Sequence, residues 1–490
     1  MPLIKNSFLI VFGTALFSSI FGLGCSILTN LTNISFKKIL NICFILPIAL
    51  PLYVLAFLYV GLLEYSGILH TTLRSFDIDI YHYFSIKSWY GVSFVFSLGL
   101  FPYIYLTTNN AFKQLGAEQI KSALSLGKSR LEVLRFVLFP AIRSAFFAGL
   151  TLLALEVLSD FGGVSIFNYD TFTTSIYNAW SGLYSYGTAA RLSLVLILFS
   201  FSFLYFESKF KCHNSSDNGN TKKVMTLFQL SKRTKILSYL FCLILIFFSL
   251  ILPTFTLLFW SLEALSTELN KDYFTLIKNT FFLGLVASVS LYFVGLFLSL
   301  IKRRQVSKWH NKVITLCLLG YGIPGNVIAV AIFSLFIIFA NFFDIQMGTF
   351  LSLLCLITGY LIRFISVGYR NILAPLNLIP LEIDKAARTL GKSRFSLLKE
   401  IHFPLLRPSI FPVFILLFIE IIKEMPLTLM IRPTGFNTLA VKIFELTSEG
   451  EWERAALPSL FLVVIAFSAT IVTKFRTKDK NETFEFLRKY

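Results

Sequence analysis

The sequence predicts an all-α fold, a polytopic membrane helix bundle made of two tandem halves repeated in parallel, with about eleven spans in a five-plus-six arrangement. Three observations carry this. Apolar blocks recur at lengths close to the ~20 residues that cross a bilayer. Lys and Arg gather in alternate connecting segments. The pentapeptide LGKSR stands at Leu126–Arg130 and again at Leu390–Arg394, inside longer stretches that also match. Of 490 residues, 56% are hydrophobic and 14% charged. Soluble domains average about 25% charged residues, so a soluble globular protein is excluded.

The elements follow in order. The first half, residues 1–206, holds apolar blocks at Phe8–Leu28, Ile39–Leu63, Val92–Thr108, Leu138–Leu158 and Leu192–Phe206. Residues 207–235, "ESKFKCHNSSDNGNTKKVMTLFQLSKRTK", are polar and basic with Asn and Ser near the middle, which reads as a cytoplasmic linker. The second half, 236–490, holds Ile236–Trp260, Thr280–Ile301, Val313–Ala340, Phe350–Ile365, Ile410–Ile422 and Leu457–Val472. Nothing before Phe8 matches Ile236–Trp260. The first half is therefore expected either to lack one helix or to be missing its start, with Met1 on the outer side.

The formal net charge of +18 could point to nucleic acid, but its placement points to topology. Basic residues fill Lys37–Lys38, 113–143, 207–236, Lys302–Lys312, 370–407 and the tail from Lys474, all on one side by alternation. The opposite segments 159–186 and 338–346 have none. This positive-inside bias puts both LGKSR copies in the cytoplasm of a multi-pass protein of the bacterial inner membrane. Five of the six cysteines lie in or beside spans and Cys212 lies in the linker, with no CxxC or Cys/His spacing for a metal or disulfide framework. Phe8–Leu28 is too long for the apolar core of a cleaved signal peptide.

Gly-Lys-Ser also ends a phosphate-binding P-loop, which needs a second glycine five positions earlier. Ser122 and Ala386 stand there, and no strand pattern precedes them, so a nucleotide site is excluded. The repeat is instead one of whole halves. At a displacement of 264, Glu118 falls on Glu382, Ala123 on Ala387, Gly127 on Gly391, Pro140 on Pro404, Glu156 on Glu420 and Asp160 on Glu424. Upstream, at 273, Asn6 falls on Asn279, Gly22 on Gly295 and Pro51 on Pro324. Six spans separate the two copies, and an even number returns the chain to the same side. The repeat is therefore parallel rather than inverted.

Each LGKSR segment predicts two short helices about a glycine turn. Small residues precede the glycine (Ser122 and Ala123; Ala386 and Ala387), permitting close approach by a partner. Apolar residues follow at three-residue spacing (Leu131, Leu134, Val137; Phe395, Leu398, Ile401). Pro140 and Pro404 are expected to end the second helix and admit the span. "KAARTLGKSRFSLLKEIHFP" (Lys385–Pro404) and, less closely, "KSALSLGKSRLEVLRFVLFP" (Lys121–Pro140) resemble the EAA loop of ABC importer permeases. The resemblance implies a type I importer-like bundle whose loops are coupling helices docked on two copies of a separate ATPase. It makes Ala123, Gly127, Pro140, Ala386, Ala387, Gly391 and Pro404 the ATPase-coupling residues. ATP and Mg would sit on that partner, with no cofactor on this chain and no catalytic residues in it. A periplasmic or extracellular substrate-binding protein and membrane lipid complete the expected partners. The family usually has an acidic residue where Lys121 and Lys385 stand, and Glu118, Glu382 and Asp384 are the nearby acids that could take its place.

The layout with two fused halves resembles ferric iron permeases, most clearly over Glu156–Trp180 and Glu420–Leu460, and more distantly those for thiamine, polyamines or phosphonates. A proton-coupled secondary carrier is the alternative of a different class. Glu156/Asp160 and Glu420/Glu424 are spaced i,i+4, hence on one helix face, as candidates for a translocation path. At ~1.5 Å per residue they lie roughly 24–30 Å beyond Pro140 and Pro404, in the outer bilayer. Ionisable groups at that depth usually face a bundle interior or water. They would either guide a hard cation or pair with Lys423 or the periplasmic surface and hold the helices in register.

Overall fold

The computed structural model describes residues 2–77, 85–115, 117–210, 226–269, 271–304 and 308–488. Eleven helices among them are long and apolar enough to cross a membrane. They are α1 (Pro2–Leu31), α2 (Leu52–Arg74), α3 (Trp89–Gln114), α4 (Arg130–Ser159), α5 (Tyr186–Phe210) and α6 (Lys232–Leu265). The rest are α7 (Lys271–Arg303), α8 (Gly325–Phe342), α9 (Thr349–Asn377), α10 (Phe395–Ile422) and α11 (Trp452–Ile471). The described residues are thus of helical class, with enough such helices for many membrane passes. The described extended pairing is one isolated bridge, Thr32 to Phe228.

Two expected spans are broken where proline stands. In place of Ile39–Leu63 there is a short helix Lys37–Cys43, a 3-10 turn Leu46–Ala49, and a restart at Leu52 after Pro51. In place of Val313–Ala340 there is Lys308–Leu318, a 3-10 turn Leu319–Gly322, and a restart at Gly325 after Pro324. Both prolines are extended (ψ 143 and 145) and serve as N-caps, where the missing N–H costs nothing. Pro140 and Pro404 behave otherwise than expected: neither ends a helix. Each follows a widened turn, Leu134–Leu138 and Leu398–His402, in an otherwise continuous helix. The proline ring would strike the carbonyl four residues back. The wider turn moves it aside, and the N–H of Phe139 or Phe403 reaches Leu134 O or Leu398 O instead.

The chain forms two compact units, Met1–Ser266 with Leu446–Leu460, and Thr267–Glu445 with Phe461–Tyr490. This division differs from the 206/236 boundary read from the repeat, because α6 packs in the first unit. There Trp260 stacks on Phe57 at 6.5 Å and the Tyr59 hydroxyl donates to Phe248 O (2.5 Å). Of the linker, residues 211–225, including Cys212, lie outside the described residues. Its far end is tied to the first unit, since Leu227 and Phe228 N–H both donate to Leu31 O (2.9 Å each).

Each unit repeats the same crossing. In the first, α1 lies on α3, and a Cβ on Gly22 would stand 2.9 Å from Ile104 Cβ and 3.0 Å from Phe101 O. In the second, α7 lies on α9, and a Cβ on Gly295 would stand 3.1 Å from Gly368 C and Tyr369 N. Only glycine admits so close an approach. The outer ends repeat as well. Asn6 Nδ2 donates to Asp170 O (3.0 Å) and Asn279 Nδ2 to Asn437 O (3.1 Å). Phe172 N–H donates to Ser7 Oγ (3.4 Å) and Leu439 N–H to Thr280 Oγ1 (2.9 Å). The parallel repeat is thus carried in hydrogen bonds as well as in letters.

Candidate functional site: two cytoplasmic segments and four outer carboxylates

The helices before the two glycines are Ala117–Ser125 and Leu381–Thr389. Both end in the same cap. Gly127 and Gly391 have φ of +77° and +76°. Gly127 N–H donates to Leu124 O (3.0 Å) and Lys128 N–H to Ala123 O (3.2 Å). The counterparts are Gly391 to Arg388 O (3.0 Å) and Lys392 to Ala387 O (3.1 Å). This Schellman pattern uses glycine because its left-handed conformation penalises a Cβ. Ser129 then N-caps α4, with a reciprocal bond from its own N–H to Glu132 Oε2 (2.7 Å). In the second copy Ser393 Oγ accepts from Ser396 N–H (3.2 Å), while Lys392 pairs with Glu400 (2.6 Å).

The structure divides the small residues that sequence spacing grouped. Ala123 and Ala387 are buried within their own units, whereas Ser122 and Ala386 are exposed. Only the latter pair can meet a partner. Beside them Leu126 and Leu390, each 81% exposed, and Leu131 and Phe395 form an apolar ledge on each segment. Within the following helices Val133 and Leu138, or Leu397 and His402, face inward, while Leu134, Val137, Leu398 and Ile401 are half-buried. Pro140 and Pro404 are exposed at the feet of the spans.

Asp384 does not face outward as a substitute for the family's acidic residue. Its carboxylate is buried against Arg303 (Nε to Oδ2 2.7 Å) and His402 (Nε2 to Oδ1 2.9 Å). Burial works to raise that carboxyl, but the bonds from Arg303 and His402 outweigh it and hold it below the usual carboxylate range. Glu118 and Glu382 remain the exposed acids.

At the outer ends, α4 stops at Ser159 and helix Phe403–Ile422 stops at Ile422. Asp160 and Glu424 therefore lie beyond the helices, and the expected shared face reduces to Glu156 and Glu420. In the first unit the chain turns extended at Asp160 (ψ 128°) before a new helix opens at Gly162, and in the second unit Pro426 opens the next helix, Pro426–Ile431, where its missing N–H costs nothing. Asp160 accepts from Val164 N–H (3.0 Å) in the first turn of the short helix Gly162–Ile166. Glu156 is half-buried and accepts from the Tyr103 hydroxyl (3.2 Å). Glu420, also half-buried, is 3.7 Å from Lys423. Glu424 is buried and pairs with Arg363 Nε (3.1 Å), while Leu427 N–H donates to its other oxygen (3.2 Å). Its ion-pair partner Arg363 is one that sequence reasoning passed over. The signal was present, since an Arg amid the apolar residues of α9 demands a counter-ion.

Residues 3–207 and 292–477 match the family described as "Binding-protein-dependent transport system inner membrane component". Over 474 residues the chain is 25% identical to the Fe(3+)-transport system permease protein FbpB 2 of Haemophilus influenzae, covering 95% of this chain and 88% of that one. It is 22% identical over 487 residues to the ferric transport system permease protein FbpB of Actinobacillus pleuropneumoniae, covering 94% and 69%. A shorter match of 160 residues, 27% identical and covering 33% and 56%, is to the sulfate transport system permease protein CysT of Salmonella typhimurium. Two matched segments spanning most of the chain, with eleven membrane-length helices among the described residues, leave one conclusion: it belongs to the inner-membrane permease components of binding-protein-dependent ABC importers, a transport subunit without catalysis of its own.

Proposed function

We propose that this permease imports ferric iron across the inner membrane, driven by ATP and magnesium on two copies of a separate ABC ATPase. One copy docks on each segment, 117–130 and 381–394, and a binding protein delivers the ion at the outer side. The observation that carries this reading is near full-length similarity to two ferric permeases, joined to duplicated ledges at Leu126/Leu131 and Leu390/Phe395. Exposed leucine and phenylalanine at a cytoplasmic surface are otherwise unfavourable, and a hydrophobic cleft would cover them. Ala386 and Ser122 let a partner approach closely, and the rigid cap at each glycine fixes the ledge. Glu156 and Glu420, half-buried on helices, are the carboxylates proposed to attract the cation; Asp160 and Glu424 hold backbone.

The test is uptake of radioactive ferric iron into vesicles holding the permease, its ATPase and its binding protein. Uptake is expected to need ATP, to survive collapse of the proton gradient, and to ignore excess sulfate. Loss on adding a protonophore at constant ATP would favour a proton-coupled carrier. Competition by sulfate would reassign the cargo.

A further inference from the structure

The two cytoplasmic segments are fastened to the membrane helices by different chemistry. The displacements of 264 and 273 set Asp384 on Ile120, His402 on Leu138 and Arg303 on Asn30. In the first unit Ile120 and Leu138 close an apolar cluster with Leu31, Phe112, Ala123 and Val133. Asn30 turns instead to Asn109 (2.8 Å). In the second unit the same place is ionic. Arg303, its side chain 4% exposed, uses all five of its N–H donors. Nε donates to Asp384 Oδ2 (2.7 Å) and Nη2 to Asp384 Oδ1 (3.1 Å) and Pro380 O (3.2 Å). Nη1 donates to Leu376 O (2.6 Å) and Ile379 O (2.9 Å). One guanidinium at the end of α7 thus holds the carbonyls at and beyond the end of α9 and the first turn of Leu381–Thr389. Through Asp384 it also reaches His402, in the widened turn at the foot of α10. Apolar contact is non-directional and tolerates sliding. A planar fork with fixed acceptors has one geometry.

We infer that Arg303, Asp384 and His402 are positioning residues for energy coupling in the second unit. They join the helix Leu381–Thr389 to α7 and to the end of α9, so that a displacement imposed by a docked ATPase moves these elements as one body. The first segment, held by apolar packing, shifts on its helices. The two ATPase contacts are mechanically unequal, and the second transmits. This rests on the reading of both segments as ATPase docking sites.

The test installs the first unit's residues in the second: Arg303→Asn, Asp384→Ile and His402→Leu together. The complex is reconstituted with its ATPase and binding protein, and ferric iron taken up per ATP hydrolysed is measured. ATPase should still co-purify and hydrolyse, while iron per ATP falls about tenfold, since small misplacements of a transmitting part are costly. Arg303→Lys keeps the charge but loses the fork, and serves if the triple variant does not accumulate; a drop of about threefold or more is expected. Unchanged iron per ATP in the variant obtained overturns the inference and leaves the network a structural clamp. ATPase lost from the variants alone also overturns it, since the network would then build the docking surface. Failure of the unmutated chain to bind ATPase defeats the docking reading, and the inference falls with it.

Discussion

At the scale of single residues, the sharpest expectations concern groups whose surroundings are complete. Arg363 and Glu424 are both nearly buried and are paired at 3.1 Å. Arg363→Met removes the guanidinium paired with Glu424, a loss of about 3–5 kcal/mol when one partner of a buried pair is removed. Yield and melting temperature in detergent should drop sharply, and Glu424→Gln in the same chain should recover part of the loss. Gly127 and Gly391 test a different term. Their φ is left-handed, but a Cβ there would meet nothing within 4 Å inside the chain. Gly391→Ala should therefore cost only about 1 kcal/mol of backbone strain. Any larger loss of ATPase binding in Gly391→Trp reports the partner's surface rather than this chain's own fold. Equal binding by the Ala and Trp variants would remove the glycine from the docking face.

At the scale of elements, the cytoplasmic helices differ in their response to acid. Asp384 has a depressed carboxyl, so its bonds contribute fully above the unfolded value of about 3.9 and are lost as pH falls through the lower folded value. A spin label on Ala386 should gain mobility in that acid range, while one on Ser122, beside Ile120, should not until the whole bundle fails. Equal mobilisation of both labels would show that Asp384 does not pin its helix. Much of this level was legible beforehand. Eleven apolar blocks match eleven helices, because a bilayer leaves the backbone few options. Gly22/Gly295, Asn6/Asn279 and Pro51/Pro324, paired by letters alone, each proved to do the same task in both units. The breaks at Pro51 and Pro324 were not read, since hydropathy averages over them. Pro140 and Pro404 look like stops in the letters, because a proline in a string does not reveal how the preceding turn adjusts. Least legible were partners distant in sequence. Asp384 had an obvious local role, and its buried bond to Arg303, 81 residues earlier, has no periodic signature.

At the scale of the whole molecule, the charge distribution and the fold make joint claims. Cysteines introduced at Asp170 and Asn437 should react with an impermeant maleimide from outside, and ones at Ser122 and Ser393 should not. Reaction at Ser122 from outside would invert the topology and with it the ATPase reading. The transport route is tested by neutralising Glu156 and Glu420 together to Gln. Both carboxylates sit on helices, half-buried, one in each unit, and neither bears the folding burden that Arg363 places on Glu424. Gln keeps their size and can still accept the Tyr103 hydrogen bond, so assembly with the ATPase should survive. If the two charges draw a hard cation through the outer membrane half, ferric iron uptake per purified complex should fall by about tenfold, a barrier rise of ~1.4 kcal/mol. A structural role predicts the reverse pattern, with lower yield or melting temperature and normal uptake by each complex that folds. The fall should also deepen at low ionic strength, where long-range attraction of the ion by the native carboxylates is least screened. A double variant with normal yield and normal uptake would take Glu156 and Glu420 out of the cation route.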